Sequence, residues 1–188
     1  MASVASREAY FETGLDVLSD LGYGGLKLAE VCNRLGVTTG SFYHYFDNWS
    51  AYTSELVAHW EQDRTVGVIA ALAVEPDARK RIGALIDEAL VLPHGAESAI
   101  RVWSSIDRDV HAVQAKVDQQ RYDVLRDSAV EILGDEHQAG LFAAWGLYLL
   151  VGYEQALVRC TPEDLRWIAD QLLDALDSGR FGAAPKRQ

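Results

Sequence analysis

The chain of 188 residues is 49% hydrophobic and carries 17 Lys and Arg against 28 Asp and Glu, a formal net charge of −11. A chain of this size and apolar content can bury one sizeable core or two smaller ones, which excludes a peptide hormone or a linker. No apolar run approaches the roughly 18 residues that span a bilayer. The longest, Leu141 to Val151, is short and contains Gly146, and the opening MASVASREAYF lacks the basic start and apolar core of a signal peptide. A cytoplasmic location without a membrane partner is therefore expected. Cys32 and Cys160 are too few for a disulfide framework or a zinc set. Both read as small hydrophobes, with redox sensing as the alternative.

After a short polar arm over residues 1–6, Phe11, Leu15, Leu18 and Leu21 recur with helical period, and Gly22, Gly24 and Gly25 end that first helix. The next stretch, LAEVCNRLGVTTGSFYHYF from Leu28 to Phe46, organises the rest. Leu28, Val31, Cys32 and Leu35 stand at i, i+3, i+4 and i+7, giving a helix of about two turns one apolar face. Gly36 can take the left-handed conformation that stops a helix and turns the chain. Thr38 then suits an N-cap for a second short helix over 39–46, its hydroxyl accepting from a backbone N–H near Gly40 or Ser41. Phe42 and Phe46 would face inward with Val37, leaving Thr39, Gly40, Tyr43 and His44 on the outer face. Hydroxyls, an imidazole and a bare backbone on one face suit close approach to phosphates and base edges in a major groove. The spacing alone suits a helical hairpin in a core equally well.

The same stretch resembles the DNA-binding motif of the TetR family of bacterial transcriptional regulators: a helix ending in Gly-Val, then Ser or Thr, Gly, and an aromatic cluster ending in Phe. Gly36, Val37, Thr38, Gly40, Tyr43 and Phe46 stand at the characteristic positions. The resemblance implies an all-α fold with an N-terminal three-helix DNA-binding head containing a helix-turn-helix, residues 1–47. Residues 48–188 would form a C-terminal helical bundle for ligand binding and dimerisation. The implied partners are double-stranded DNA, a small-molecule effector and a second copy of the chain. The expected DNA contacts are Thr38 and Tyr43 to phosphate, and Thr39 and His44 to base edges or nearby phosphate, with Gly40 allowing close approach. Two features depart from the pattern. Residues 1–60 hold only Arg7, Lys27 and Arg34 against seven acids, a net charge of −4, where phosphate binding favours a basic head. Trp49 occupies the place where the fourth helix usually carries a lysine directed at a phosphate, and Tyr52 replaces a usual leucine. An indole N–H can donate to a phosphate but carries no charge.

Asn48, or Asp47 before it, can cap that fourth helix, which runs through Tyr52, Leu56, His59 and Trp60 towards Leu72. Pro76 suits the first turn of the next helix, with Ile82, Leu85, Ile86 and Ala89 as its apolar line up to Leu92-Pro93. Further helices are predicted over Glu97–Ile106 and Val110–Leu133, the second ended by Gly134. Gln138 to Val158 reads as a helix apolar nearly all round, with Gly140, Gly146 and Gly152 where another backbone could come close. Thr161-Pro162-Glu163-Asp164 starts a last helix lined by Leu165, Ile168, Leu172, Leu173 and Leu176, and a basic tail, Lys186-Arg187, follows.

No sequence motif of catalysis is present, neither a phosphate loop nor a nucleophile elbow nor a metal-ligand set among the five histidines. The sequence therefore predicts no enzyme, no cofactor, no metal and no catalytic residue. Asp107, Asp109 and His111 read as a solvated helix-start cluster. Trp60, Trp103, Tyr122, Phe142, Trp145 and Tyr148 are large aromatics on separate helices that either line an effector pocket or simply fill a core. Arg101 and Arg121 either orient an anionic ligand or pair with nearby acids. Helices 138–158 and 162–177 are the expected homodimer interface, pairing across a two-fold axis as a four-helix bundle. The other reading is a helical ligand-binding or protein-interaction dimer with a degenerate DNA-binding head.

Overall fold

The structure, a computed structural model, describes residues 6–158 and 160–183. The polar arm ahead of Ser6 and the basic tail Lys186-Arg187 lie outside the described residues. Every regular element among the described residues is helical, as the all-α expectation required. In chain order the helices are α1 (Arg7–Gly25), α2 (Leu28–Leu35), α3 (Thr39–Phe42), α4 (Trp49–Glu61), α5 (Gly67–Leu72), α6 (Ala78–Leu90), α7 (His94–Ser104), α8 (Arg108–Leu133), α9 (Glu136–Gln155) and α10 (Pro162–Asp177). A π-helical segment, Gln62–Val66, joins α4 to α5, and a 3₁₀ turn, Arg180–Ala183, follows α10. Among the described residues no helix is long and apolar enough to cross a membrane.

Local chemistry explains most helix ends. Ser6 Oγ accepts from Ala9 N at 3.2 Å to start α1, whose regular part stops at Gly22, φ 67°. Asn48 Oδ1 accepts from Ala51 N at 2.9 Å, and Thr161 Oγ1 from Asp164 N at 3.1 Å, capping α4 and α10. Several ends differ from the predicted ones. The Asp77 carboxylate accepts from Lys80 N at 3.0 Å, so α6 begins at Ala78 and Pro76 stays outside it. That bond also holds the Asp77 carboxyl below its ordinary range. Glu97 N donates to Pro93 O at 3.1 Å, so α7 starts at His94, a turn early. Asp135 Oδ1 accepts from Gln138 N at 2.9 Å, starting α9 at Glu136, and the extended backbone of Ala156 (ψ 139°) takes residues 156–158 out of that helix. The recognition helix α3 is a single turn followed by turns to Tyr45, shorter than the predicted 39–46.

The chain divides into two compact units, residues 1–63 with 93–115, and residues 64–92 with 116–188. In the first, α7 lies directly against α1. A Cβ built at Gly95 would stand 2.8 Å from the backbone oxygen of Ser19 and 3.0 Å from its Cα, so the two helices meet backbone to backbone there. The centre of this unit is aromatic. The Tyr10 ring meets Phe42 at 5.7 Å and Phe46 at 5.5 Å, both edge-on, and Tyr52 Oη donates to the Tyr10 carbonyl at 2.9 Å. Burial pushes both phenols up from their ordinary range, so they remain protonated at neutral pH. Tyr10 is 0% exposed and its hydroxyl has no hydrogen-bond partner among the described residues. Tyr10→Phe removes that unsatisfied group and keeps the ring, so it should raise stability by about 1 kcal/mol, measured by urea unfolding. A loss of stability would show that the hydroxyl is satisfied in solution.

The second unit packs α6, α8, α9 and α10 round Ile82, Ile86, Ala129, Phe142, Leu172, Leu176 and Phe181. Arg81 ties three segments together, donating to Ser128 Oγ at 2.9 Å and the Glu75 carbonyl at 2.8 Å while pairing with Glu131. Two of the glycines of α9, Gly140 and Gly146, serve packing within the chain, whereas Gly152 has open space around it. Gly146 is faced by Leu125 and Leu172 side chains, each 3.2 Å from a built Cβ, and Gly140 by the Tyr122 hydroxyl at 2.9 Å.

Candidate nucleic-acid interface

The sequence LAEVCNRLGVTTGSF folds as two helices and a tight turn because each residue at the turn fits its conformation. Gly36 adopts φ 71°, ψ 32°, its N–H donating to Asn33 O at 3.1 Å, while Val37 N donates to Cys32 O at 3.0 Å. Thr38, extended, accepts from Ser41 N at 3.2 Å through its hydroxyl and so opens α3. Phe42 and Phe46, 0% and 2% exposed, anchor the segment in the aromatic core. This leaves Thr38, Thr39, Gly40, Tyr43 and His44 all exposed, Tyr43 at 56%. A Cβ built at Gly40 meets only Thr38 Oγ1, at an ordinary 3.6 Å, and the backbone there is not left-handed. The fold thus does not require glycine at 40, although glycine in a helix costs about 1 kcal/mol against alanine.

The electrostatics are unusual for a surface facing phosphate. Arg7 pairs with Glu55, and Arg34 with Asp20 and Glu30, both at 2.7 Å. Among the described cations of the head, Lys27 alone stands outside an ion pair, exposed immediately ahead of α2. Trp49 is half-buried. Its ring packs 4.9 Å from Tyr52 and 6.0 Å from Phe42, extending the aromatic core.

The predicted pocket aromatics fall in different surroundings. In the first unit, Trp60 is 0% exposed and its Nε1 donates to Glu97 Oε1 at 2.7 Å, the carboxylate itself being buried. Trp103 is buried as well, stacking on Tyr23 at 4.8 Å and donating to Asp107 Oδ2 at 3.3 Å. In the second unit, Phe142 and Trp145 both meet Phe181, at 5.5 and 5.9 Å, and belong to the core. Tyr122 is half-buried, whereas Tyr148 is 70% exposed on the outside of α9. Arg121 Nε donates to Thr65 Oγ1 at 3.2 Å. Asp107 Oδ1 accepts from Asp109 N at 3.0 Å and Val110 N at 3.2 Å, which makes it the cap of α8, the helix-start role read from the sequence. Sequence reasoning missed Glu97 and Arg7, whose partners lie 37 or more positions away and leave no periodic signal.

A three-helix head with a glycine-turned helix pair and a polar outer face has the geometry of a helix-turn-helix. Residues 11–49 match the sequence model of the bacterial regulatory proteins of the tetR family. No curated protein matches the sequence. Among solved structures, the fold is similar to a transcriptional regulator from Rhodococcus sp. Rha1, with 19% identity over 93% of this chain and 97% of that one and a TM-score of 0.75. It is similar to a transcriptional regulator from Saccharomonospora viridis in complex with choline, with 14% identity, 89% and 95% coverage and a TM-score of 0.73. It is also similar to the transcriptional regulator FadR from Bacillus subtilis in complex with stearoyl-CoA, with 15% identity, 93% and 99% coverage and a TM-score of 0.63.

Proposed function

We propose that the protein is a ligand-responsive transcriptional repressor that binds a pseudo-palindromic operator as a homodimer. The head, residues 1–47, reads DNA, and residues 48–188 hold the effector and the dimer interface. The observation that carries this reading is the outer face of the helix-turn-helix, where Thr38, Thr39, Gly40, Tyr43 and His44 are exposed together above buried Phe42 and Phe46. Thr38 and Tyr43 contact phosphate, and Thr39 and His44 contact base edges or nearby phosphate. Gly40 supports the reading because the space around it would take a methyl group without strain. Its missing side chain serves something outside the chain.

For dimerisation, α9 exposes Leu141 and Tyr148, seven apart and so on one stripe, and α10 exposes Trp167 and Ile168. Large apolar residues gathered on two long helices favour burial against a second copy. Two heads held one helical turn apart then match the two halves of an operator. The choline and stearoyl-CoA complexes of the structural neighbours support a small-molecule effector. Its binding favours an arrangement of the heads that no longer fits the half-site spacing. The full paired set of head arginines and the uncharged Trp49 favour one other reading, a ligand-binding or protein-interaction dimer whose head no longer reads DNA.

Gly40→Ala separates the two. Under the operator-reading proposal the variant keeps or gains thermal stability yet loses about tenfold or more in affinity for an operator selected from random DNA. Sequence-independent binding by the wild type, with Gly40→Ala indistinguishable from it, would favour the degenerate head.

A further inference from the structure

We propose that Arg7 is a positioning residue for DNA reading. It fixes the C-terminal end of the recognition segment against α1 and α4, and so sets the pose in which Tyr43 and His44 meet the bases. The inference rests on the operator-reading function above.

The argument begins with the length of α3. Four residues form one turn, which has almost no stability or stiffness by itself, so its orientation must come from tertiary contacts. At its start Thr38 supplies a local cap, and beneath it Phe42 and Phe46 supply apolar burial. Apolar burial and ring contacts hold the segment down but constrain its rotation less than a hydrogen bond to its backbone does. The directional contact comes from Arg7, the first residue of α1. One guanidinium N–H donates to the Tyr45 carbonyl, immediately after Tyr43 and His44, and another pairs with Glu55 on α4. The guanidinium also lies over the Phe46 ring, 4.6 Å from its centroid. A planar fork can make these three contacts at once, and a lysine ammonium, a compact charge on a flexible stem, cannot.

The charge of Arg7 is already committed to Glu55, which sets it apart from a phosphate contact. The pair is also about 40% exposed on both sides, so its contribution to global stability is small. What it supplies is geometry. Tyr52 Oη to the Tyr10 carbonyl and His59 to Glu12 also join α1 to α4, and Arg7 is the α1 side chain that donates to the backbone just beyond α3. Arg7 thereby adds a hydrogen-bonded tie between the reading face and α4 to the ring contacts of Phe42 and Phe46 with Trp49 and Tyr52.

The test uses the full chain and an operator selected from random DNA with the wild type, with affinities read across a salt series and thermal unfolding read without DNA. Arg7→Gln and Arg7→Lys should each weaken operator binding about tenfold. The salt slope should be unchanged and the unfolding temperature nearly so. Glu55→Gln should also weaken binding, although it removes a negative charge from an acidic head. Simple electrostatics predicts the opposite sign for that variant, so tighter binding by Glu55→Gln overturns the proposal. Wild-type affinity in Arg7→Lys, or a salt slope reduced by about one per head in Arg7→Gln, would make Arg7 a phosphate contact and overturn it as well. A wild type with no sequence preference would remove the operator-reading function itself. A wild type that binds its operator while Arg7→Gln does so equally well removes only the positioning role.

Discussion

Gly95→Ala is expected to destabilise the first unit by about 2–3 kcal/mol, the upper part of the range for inserting a methyl group into a well-packed site. The reason is what the new Cβ would meet. Ser19 Oγ, at 2.4 Å, could rotate away, but the Ser19 backbone oxygen at 2.8 Å and Cα at 3.0 Å are fixed in the middle of α1. The helices must separate, and the shift is passed to Trp103 and Tyr23, which stack at 4.8 Å between α7 and the end of α1. For a chain of this size the loss corresponds to a fall in unfolding temperature of about 5–10 °C. Scanning calorimetry checks it, with Gly83→Ala as the control, since a Cβ there meets only the end of the Arg79 side chain at 3.7 Å. Equal unfolding temperatures for the two variants would mean that α1 and α7 are not held backbone to backbone in solution.

Features set by a few neighbouring residues were legible in the sequence, and features set by the fold were not. Gly36, Thr38, Asn48 and Thr161 were read as turn and caps because each acts on a backbone group at most three residues away. Phe42 and Phe46 were read as inward because a period of four survives even in a short segment. Helix starts shifted where a carboxylate competed for the first N–H groups, as Asp77 did against Pro76 and Asp135 against Gln138. The last helix shows a different cause. Its apolar line reads as one face, yet Ile168 is exposed while half-buried Leu173 packs on the core with Leu172 and Leu176. Periodicity marks an apolar face without saying which chain covers it. Arg7 with Tyr45 and Glu55, Trp60 with Glu97, and Gly95 with Ser19 were invisible because their pairing depends on which helices the fold brings together.

Operator affinity is expected to fall only about tenfold between 50 and 200 mM salt, where regulators making 6–10 phosphate contacts through Lys and Arg lose about a thousandfold or more. The expectation follows from where the head's cations are spent. Arg7 is paired with Glu55 and Arg34 with Asp20 and Glu30, so neither can release counterions without first breaking its ion pair. Trp49 carries no charge, and Thr38, Thr39 and Tyr43 make neutral hydrogen bonds that leave the counterions condensed on the DNA in place. Lys27 remains, exposed ahead of α2, one per protomer and two per dimer. Two neutralised phosphates give a slope of about −2 in log affinity against log salt. Lys27→Ala should bring that slope close to zero and weaken binding to all DNA sequences alike, whereas Thr39→Ala should leave the slope and lower only the preference for the operator. Fluorescence anisotropy over the salt range at fixed pH reads both quantities. A wild-type slope of about −6 or steeper would mean that the arginine ion pairs open on DNA, and the reading face would then owe its affinity to charge instead of to hydroxyls and close backbone approach.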